Sequence, residues 1–261
     1  MNFNRPVLNT ADIEVERVKI ASKKVTEPVV LLHLSDLHFR RRGRLEENLI
    51  SNLSELEYDL ALLTGDYIDN LRHRDSFQEL LVEMDLQAPA FAVPGNHDYR
   101  DNLTAIRKDL ETAGIRFLNN HHHRIKVRDM AFNIIGVGCP RVGLDDFQQA
   151  AGPAELESGF NLVISHTYDV VEGIKRSDSA DDMAPVDLVL VGDTHGGQIN
   201  LPVIRFFYDL IYSRDYISGL FQPRDSGVRY LYVNRGLGAS ALPIRINCPP
   251  EIALIEIEPE N

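Results

Sequence analysis

The chain has 261 residues, of which 27 are Lys or Arg and 39 are Asp or Glu, so its formal net charge at pH 7 is −12. Hydrophobic residues make up 44% of it and charged residues 25%, a globular composition that excludes disordered and fibrous classes. The acidic balance excludes a protein that coats duplex nucleic acid, because a net basic surface supplies most of the affinity in such proteins. It does not exclude a small anionic substrate, since bound cations invert the field of a site.

The cysteine content and the apolar runs bear on the cellular compartment. Cys139 and Cys248 are too few and too far apart for a disulfide framework or a cysteine zinc site, and each is expected to be a small buried side chain. The opening segment lacks the basic and apolar regions of a signal peptide. The longest apolar runs have the length of strands and not of membrane spans. We therefore expect a cytoplasmic protein.

Short apolar runs alternate with segments of helical periodicity, without an internal repeat or a linker between two halves. Strands are predicted, in chain order, at Ile13–Ile20, Val29–Leu34, Leu60–Leu63, Phe91–Val93, Ile125–Val127, Phe132–Val137, Leu162–Ser165, Leu188–Val191, Tyr230–Asn234 and Ile252–Ile257. Helices are predicted at Leu45–Leu56, Ser76–Leu86, Leu103–Ala113 and Phe147–Ala151. Several central strands are continuous apolar runs, which is typical of sheets buried on both faces. The pattern indicates one α/β domain over residues 1–261.

Two histidine features accompany these strands. His33 lies inside an apolar run and is predicted to be a core histidine. The run His121–His123 follows two asparagines and is predicted to form a hairpin turn.

Five of the predicted strands end in side chains that commonly bind metals. These side chains belong to Asp36, His38, Asp66, Asn96, His97, Asp98, His166, Asp193 and His195. In an open α/β sheet the loops beyond the carboxyl ends of the strands converge on a ligand crevice. One such residue alone is more often a turn former or a satisfied polar group, but their joint placement predicts a metal site.

The donor types indicate which ions this site holds. Hard carboxylates mixed with imidazoles suit divalent Mn, Fe or Zn, and no thiolate is present among them. The candidates are too many for one tetrahedral zinc, so they predict two ions that share a bridging carboxylate, about 3.5–4 Å apart. Asp36 and His38 are two residues apart, and so are Asp193 and His195. An extended backbone would aim both members of each pair to the same side.

The motifs at these strand ends resemble a known family. They are Asp36-Leu37-His38, Gly65-Asp66, Gly95-Asn96-His97-Asp98, His166 and Gly192-Asp193-Thr194-His195. Together and in this order they resemble the five-block signature of calcineurin-like metallophosphoesterases. The later segments GDTHGGQINLP and NRGLGASALPIRINCPPEIALIEI are similar to the phosphodiesterase branch that includes the YkuE and YaeI proteins and the chlamydial UDP-2,3-diacylglucosamine hydrolase. The resemblance implies a four-layer α/β/β/α sandwich of two mixed sheets.

The resemblance also implies a role for each matched residue. Asp36, His38 and His195 would hold one ion. Asp66 would bridge to a second ion, which Asn96 and His166 would hold. Asn96, His97 and Asp98 are the candidate catalytic residues: Asn96 would touch the scissile phosphate, His97 would protonate the leaving oxygen, and Asp98 would orient that imidazole.

The reaction implied is hydrolysis of a phosphodiester or pyrophosphate bond by direct attack of a water or hydroxide activated between two cations. The cofactors implied are two divalent metal ions, with manganese favoured and iron, zinc, magnesium, nickel or cobalt as alternatives. A UDP-2,3-diacylglucosamine-like lipid is the leading named substrate, which places the predicted role in lipid A biosynthesis. The alternatives are a broad phosphodiesterase or phosphomonoesterase for small substrates and, in another class, a degenerate metal-binding scaffold without activity.

One position departs from the family pattern. The last block normally reads Gly-His-x-His, and Asp193 stands where its first histidine belongs. An aspartate oxygen lies as many bonds from Cβ as the near ring nitrogen of histidine, so Asp193 is expected to ligate the second ion in its place. The added charge would make that ion a weaker Lewis acid. The alternative is a weakened second site.

Two segments near the metal blocks bear on the substrate. Arg40 and Arg41 follow the first ligand pair, and they either lie in a solvated loop or contact a phosphate. Phe206 and Phe207 belong to the aromatic stretch Leu201–Phe221, which either packs as a core helix or forms an apolar lip for acyl chains. The lip would allow peripheral contact with the inner membrane. The oligomeric state is left open.

Overall fold

Two six-stranded mixed sheets lie face to face in the computed structural model, which describes residues 8, 10–152, 159–176, 186–201 and 216–260. The first sheet contains β1 (Glu14–Ser22), β2 (Val29–Leu34), β3 (Leu60–Leu63), β4 (Ala90–Ala92), β5 (Ile115–Phe117) and β12 (Glu251–Pro259). Its order is β1-β12-β2-β3-β4-β5, with β12 antiparallel to β2 and parallel to β1. Strands β2 to β5 are parallel, so their carboxyl ends share one edge.

The second sheet is built in the same way. It contains β6 (His121–Val127), β7 (Met130–Gly136), β8 (Phe160–Ile164), β9 (Val186–Val191), β10 (Gly219–Phe221) and β11 (Val228–Val233). Its order is β10-β11-β9-β8-β7-β6, and the four inner strands β11, β9, β8 and β7 are parallel. The edge strands β10 and β6 are antiparallel to their neighbours.

Helices cover the outer face of each sheet. They are α1 (Arg44–Glu55), α2 (Arg74–Glu83), α4 (Leu103–Thr112), α5 (Phe147–Ala151) and α6 (Val170–Arg176), while the short helix α3 (Asn96–Asp101) follows β4 at the strand edge. One apolar cluster joins α1, α2 and α4 to the first sheet, and another joins α5 and α6 to the second. A third cluster fills the space between the two sheets. The predicted α/β/β/α sandwich is confirmed.

Strand β2 shows why its sequence is a continuous apolar run. Leu31 packs between the sheets, while Leu32 and Leu34 pack against the helices, so both faces are buried. His33 lies on the inter-sheet side and is fully buried, with Nε2 2.9 Å from Oγ1 of Thr64. Burial lowers the pKa of His33 to about 3. The prediction of a core histidine is confirmed.

The structure differs from the predicted elements at the histidine run and at four short elements that were not predicted. His121–His123 is not a turn, because these residues pair with β7 as the first part of β6. Helices α3 and α6, of six and seven residues, and strands β5 and β10, of three residues each, were not predicted, since elements this short carry little periodic signal.

The aromatic stretch after β9 is described only at its two ends. Residues 202–215, which include Phe206 and Phe207, lie outside the described residues. Within the described ranges, no helix has both the length and the apolar character needed to cross a membrane.

Candidate metal centre

The predicted ligand residues meet where strands of both sheets end, and five of them adopt a left-handed backbone. Their φ angles lie between 42° and 67°, at Asp36, His38, Asp66, Asp193 and His195. Residues other than glycine rarely adopt this conformation, and such outliers cluster at functional sites. The expectation of an extended backbone at the Asp-x-His pairs is therefore wrong. Tight turns aim each pair into the site.

Backbone hydrogen bonds between the loops hold these turns in place. Asp36 N donates to Gly65 O over 3.0 Å, and His38 N donates to Asp66 O over 2.9 Å. Asp193 N donates to Oδ2 of Asp36 over 3.0 Å, which ties the second sheet to the first. The relative positions of the ligand side chains thus depend on contacts between distant strands.

One group of candidate ligands surrounds Oδ1 of Asp36. Nε2 of His195 lies 3.4 Å from this oxygen, and Nε2 of His38 lies 3.9 Å from it. Nε2 of His38 is also 3.4 Å from Oδ2 of Asp66. All four side chains are almost fully buried.

A second group shares Asp66 with the first. Oδ2 of Asp66 lies 3.4 Å from Nε2 of His166, which is 3.5 Å from Oδ1 of Asp193. Asn96 begins α3 at the same strand edge and lines the same cavity as Asp66 and Asp193. Oδ2 of Asp66 therefore lies between the two groups, at the position of a bridging carboxylate.

The chemistry of these atoms fits two divalent ions. Among the described residues seven buried side-chain atoms have no hydrogen-bond partner, and four of them belong to candidate ligands: Asp36 Oδ1, His38 Nε2, Asn96 Oδ1 and His166 Nε2. Buried polar atoms are nearly always hydrogen-bonded, so four unpaired atoms in one site indicate that a ligand binds there. Donor atoms that each lie about 2.1 Å from one ion are separated by about 3–3.5 Å, close to most of the spacings measured.

Burial and the charges of neighbouring side chains shift the pKa values of the candidate ligands. Burial by itself would raise the pKa of Asp66, but the imidazoles of His166 and His38 outweigh it and hold this pKa below its usual range. Burial by itself would lower the pKa of His38 and His166, but the neighbouring carboxylates raise both. Burial lowers the pKa of His195 to about 3 and raises the pKa of Asp193 to about 6.

His38 is oriented from behind by Asp69. Oδ1 of Asp69 is 2.5 Å from Nδ1 of His38, and its Oδ2 accepts from Nε of Arg40. Arg40 also donates to the carbonyl of Ala239 over 3.1 Å. The guanidinium of Arg40 thus supports a ligand from the side away from the site. Arg41 is exposed, and neither arginine lines the cavity beside the candidate ligands.

Asp98 has a different contact from the one expected of it. Its carboxylate accepts from the backbone N–H groups of Asp66, Tyr67 and Gly95 at 2.7–3.0 Å, and so it fixes the turn of the bridging residue. Burial, helped by the charge of Asp66, raises the pKa of Asp98 to about 7. The orienting partner of His97 is another residue.

That partner is Arg100, one turn along α3. Nη2 of Arg100 lies 2.7 Å from Nδ1 of His97, and a guanidinium can only donate, so Nδ1 accepts. The proton of the neutral His97 ring is then on Nε2, which lies 4.0 Å from Oδ2 of Asp66. Burial lowers the pKa of His97, and the nearby cation of Arg100 lowers it further.

A cavity of about 400 Å³ opens from these ligands to the surface. It is lined by Asp66, Asn96, His97, Arg141, Asp193, Thr194, His195, Gly197, Gln198, Ile199, Ser240 and Ala241. Arg141 donates from Nη2 to Oδ2 of Asp193. Arg141 was not predicted from the sequence, because it lies in a short 3-10 turn, Pro140–Val142, that carries no motif.

The tail motif NRGLGASALPIR builds the wall behind the first ligand group. Arg245 is fully buried and donates to Nδ1 of His195 over 3.2 Å. A side chain at position 236 would place its Cβ 2.7 Å from Cβ of Asp36, so only glycine fits at this position. The motif was recognised in the sequence, but the contact between Arg245 and His195 was not predicted.

Carboxylates and imidazoles that converge at the strand ends of a two-sheet α/β sandwich define a metal-dependent hydrolase. The chain belongs to the calcineurin-like phosphoesterase family, whose sequence profile matches residues 29–197. That range includes every candidate ligand, and the enzyme class is therefore a metallophosphoesterase. Members of this family generally bind two divalent metals.

Two curated relatives and one solved structure illustrate the relationship. The chain is 32% identical to phosphodiesterase YaeI of Escherichia coli, over 88% of this chain and 82% of that protein. It is 24% identical to the UDP-2,3-diacylglucosamine pyrophosphatase LpxG of Chlamydia muridarum, over 86% and 82% of the two chains. The crystal structure of TT1561 of Thermus thermophilus matches with a TM-score of 0.50 at 16% identity, covering 80% of this chain and 90% of that one. This likeness supports the fold alone.

Proposed function

We propose that the protein hydrolyses a phosphodiester or pyrophosphate bond with two divalent metal ions, of which manganese is favoured. Asp36, His38 and His195 would hold one ion, and Asp66 would bridge to the other. The second ion would be held by Asn96, His166 and Asp193. The observation that carries the proposal is that unpaired buried atoms of Asp36, His38 and His166 converge around Oδ2 of Asp66, in a cavity that Asn96 also lines.

The ions would supply Lewis acidity and lower the pKa of a coordinated water. The protein's own groups position the substrate around that chemistry. Asn96 and His97 line the cavity, so a phosphoryl group next to Asp66 would lie within reach of both. His97 presents its Nε2 proton to the leaving oxygen, because Arg100 occupies Nδ1.

Hydrolysis of bis-p-nitrophenyl phosphate tests the reaction. Chelation should abolish turnover and added manganese should restore it. His97→Gln should lower kcat about 10²–10⁴-fold while the protein still binds two equivalents of manganese. His121→Gln, which changes an exposed histidine on β6, should behave as the unchanged protein. Two bound equivalents without any turnover of a phosphodiester would favour the non-catalytic scaffold.

A lipid substrate is favoured by the surface next to the cavity. Val142 and Leu144 follow Arg141 and are 39% and 50% exposed, and Leu242 follows Ala241 and is 56% exposed. Exposed apolar side chains beside an active-site opening suit acyl chains or a membrane surface. The similarity to LpxG supports a diacylglucosamine-linked pyrophosphate as the candidate.

Replacing the three apolar side chains by serine tests this candidate. The triple variant should raise KM for a micellar UDP-diacylglucosamine about tenfold or more and leave KM for bis-p-nitrophenyl phosphate unchanged. Val82→Ser, at a similarly exposed position on α2, is the matched control. Equal effects on both substrates would instead support a broad phosphodiesterase for small substrates.

A further inference from the structure

The ion pair between Arg141 and Asp193 stands at the one ligand position that departs from the family signature. The histidine expected there is neutral as a ligand, whereas aspartate adds a negative charge. Oδ2 of Asp193 accepts from Nη2 of Arg141, and Oδ1 lies 3.5 Å from Nε2 of His166. One carboxylate oxygen is therefore held by the arginine, and the other has the spacing of a ligand partner.

The loop that carries Arg141 is held firmly against the second sheet. Asn120 accepts from the N–H groups of Gly138 and Asp146 at 2.7 and 3.0 Å, and its Nδ2 donates to Leu144 O over 2.8 Å. These three bonds span both sides of Arg141. The backbone that carries the guanidinium is thus fixed on both sides of Arg141.

The pair is also shielded more than an ordinary surface ion pair. The side chain of Asp193 is 8% exposed and that of Arg141 is 36% exposed. A charge-assisted hydrogen bond in this setting fixes the orientation of a carboxylate, because the guanidinium is planar and can only donate. Arginine cannot itself ligate a cation, so it can hold one oxygen without competing with the other.

We propose that Arg141 is a positioning residue for the second metal site and that Arg141 and Asp193 together replace the family's histidine. Asp193 presents Oδ1 to the ion, while Arg141 fixes the carboxylate through Oδ2 and offsets its charge. The pair then has the net charge of a neutral imidazole. This inference rests on the dinuclear site proposed above.

Calorimetric titration of the chelated protein with manganese alone tests the inference. Arg141→Met should weaken binding of the second equivalent about 10–100-fold and leave the first unchanged, as is usual when a residue that orients a ligand is removed. Arg141→Lys should recover part of the loss. Arg229→Met removes an arginine that is 38% exposed and paired with Glu260, and it should change neither equivalent.

The decisive variant combines Arg141→Met with Asp193→His. A neutral imidazole needs no arginine, so the second equivalent should bind as in the unchanged protein. A loss that the double variant does not reverse would mean that Arg141 only holds its loop. Tighter binding in Arg141→Met would mean that Arg141 withholds Asp193 from the ion. Either result overturns the inference.

Failure of the proposed function gives a different result. If the unchanged protein binds fewer than two equivalents of manganese, the dinuclear site itself is refuted, and the inference with it. If it binds two equivalents and Arg141→Met binds them equally well, the dinuclear function stands and only the role of Arg141 is refuted.

Discussion

Nη2 of Arg245 donates to Nδ1 of His195 over 3.2 Å from a guanidinium that is fully buried. The same guanidinium donates to the carbonyls of Gly238 and Arg235 over 2.7 and 2.8 Å. It therefore joins the loop after β9 to the loop after β11 directly behind a candidate metal ligand. Burial lowers the pKa of Arg245, but Arg keeps its charge because its usual pKa is very high.

Arg245→Met should lower the free energy of unfolding by about 3–5 kcal/mol, because it leaves buried carbonyls without donors. Urea unfolding with an unchanged m-value checks this. Arg124→Met, at an exposed position on β6, is the control and should cost less than about 0.5 kcal/mol. A cost for Arg245→Met as small as that of the control would show that the bonds of Arg245 are not needed for folding.

Gly192→Ala should displace Asp36 and so weaken metal binding by the first ligand group. A Cβ at this position would lie 1.9 Å from Oγ of Ser35 and 2.3 Å from Oδ2 of Asp36, so both must move. Ser35 donates to that same Asp36 oxygen over 2.6 Å. We expect at least tenfold weaker binding of the first manganese and about a hundredfold loss of kcat, since a shift of about 1 Å is that costly.

The matched control is Gly173→Ala in α6, where the new Cβ would lie 3.5 Å from the nearest atom, Oδ2 of Asp145. Because alanine favours helix, this variant should raise stability by about 0.5–1 kcal/mol and keep its activity. Normal metal binding by Gly192→Ala would mean that the loop yields without moving Asp36.

Asp69→Asn should weaken binding of the first manganese about 10–100-fold. The reason is that Asp69 accepts a hydrogen bond from Nδ1 of His38, the ring nitrogen that faces away from the metal position. Asp225→Asn, in an exposed turn, is the control.

Arg40→Met should weaken manganese binding less than Asp69→Asn does and leave KM for bis-p-nitrophenyl phosphate unchanged. A higher KM with normal metal affinity would instead assign Arg40 to the substrate, which is one of the two alternatives that the sequence left open.

His33 should make stability fall in acid. Burial holds its pKa at about 3 in the folded state, whereas an unfolded histidine titrates near 6.5. Between these values the unfolded chain binds a proton that the folded chain does not, so stability is complete above about pH 6.5 and falls toward pH 3. The contribution of this residue reaches about 1.4 kcal/mol per pH unit.

Urea unfolding of His33→Gln beside the unchanged protein between pH 7 and pH 4.5 isolates that contribution. The difference in unfolding free energy between the two should shift in favour of the variant as the pH falls. His73→Gln, at an exposed position, is the control variant. A difference that is constant with pH would contradict the prediction.

The sequence by itself determined most of the elements and the set of candidate ligands. Most of the strands could be predicted from apolar runs, because a strand that is buried on both faces is apolar along its whole length. The candidate ligands could be predicted together because parallel strands bring their carboxyl ends to one edge, where polar residues that follow several strands meet. The family resemblance then supplied the order of the layers.

Only the tertiary structure decided how the ligands are supported. Arg141 reaches Asp193 across 52 residues, Arg245 reaches His195 across 50, and Asp69 reaches His38 across 31. Such partners leave no periodic signal, because they are chosen by how loops from different sheets pack together. The left-handed turns at the ligand pairs are likewise held by bonds between distant loops. Local sequence therefore predicted the candidate ligands, and long-range packing determines how they are oriented.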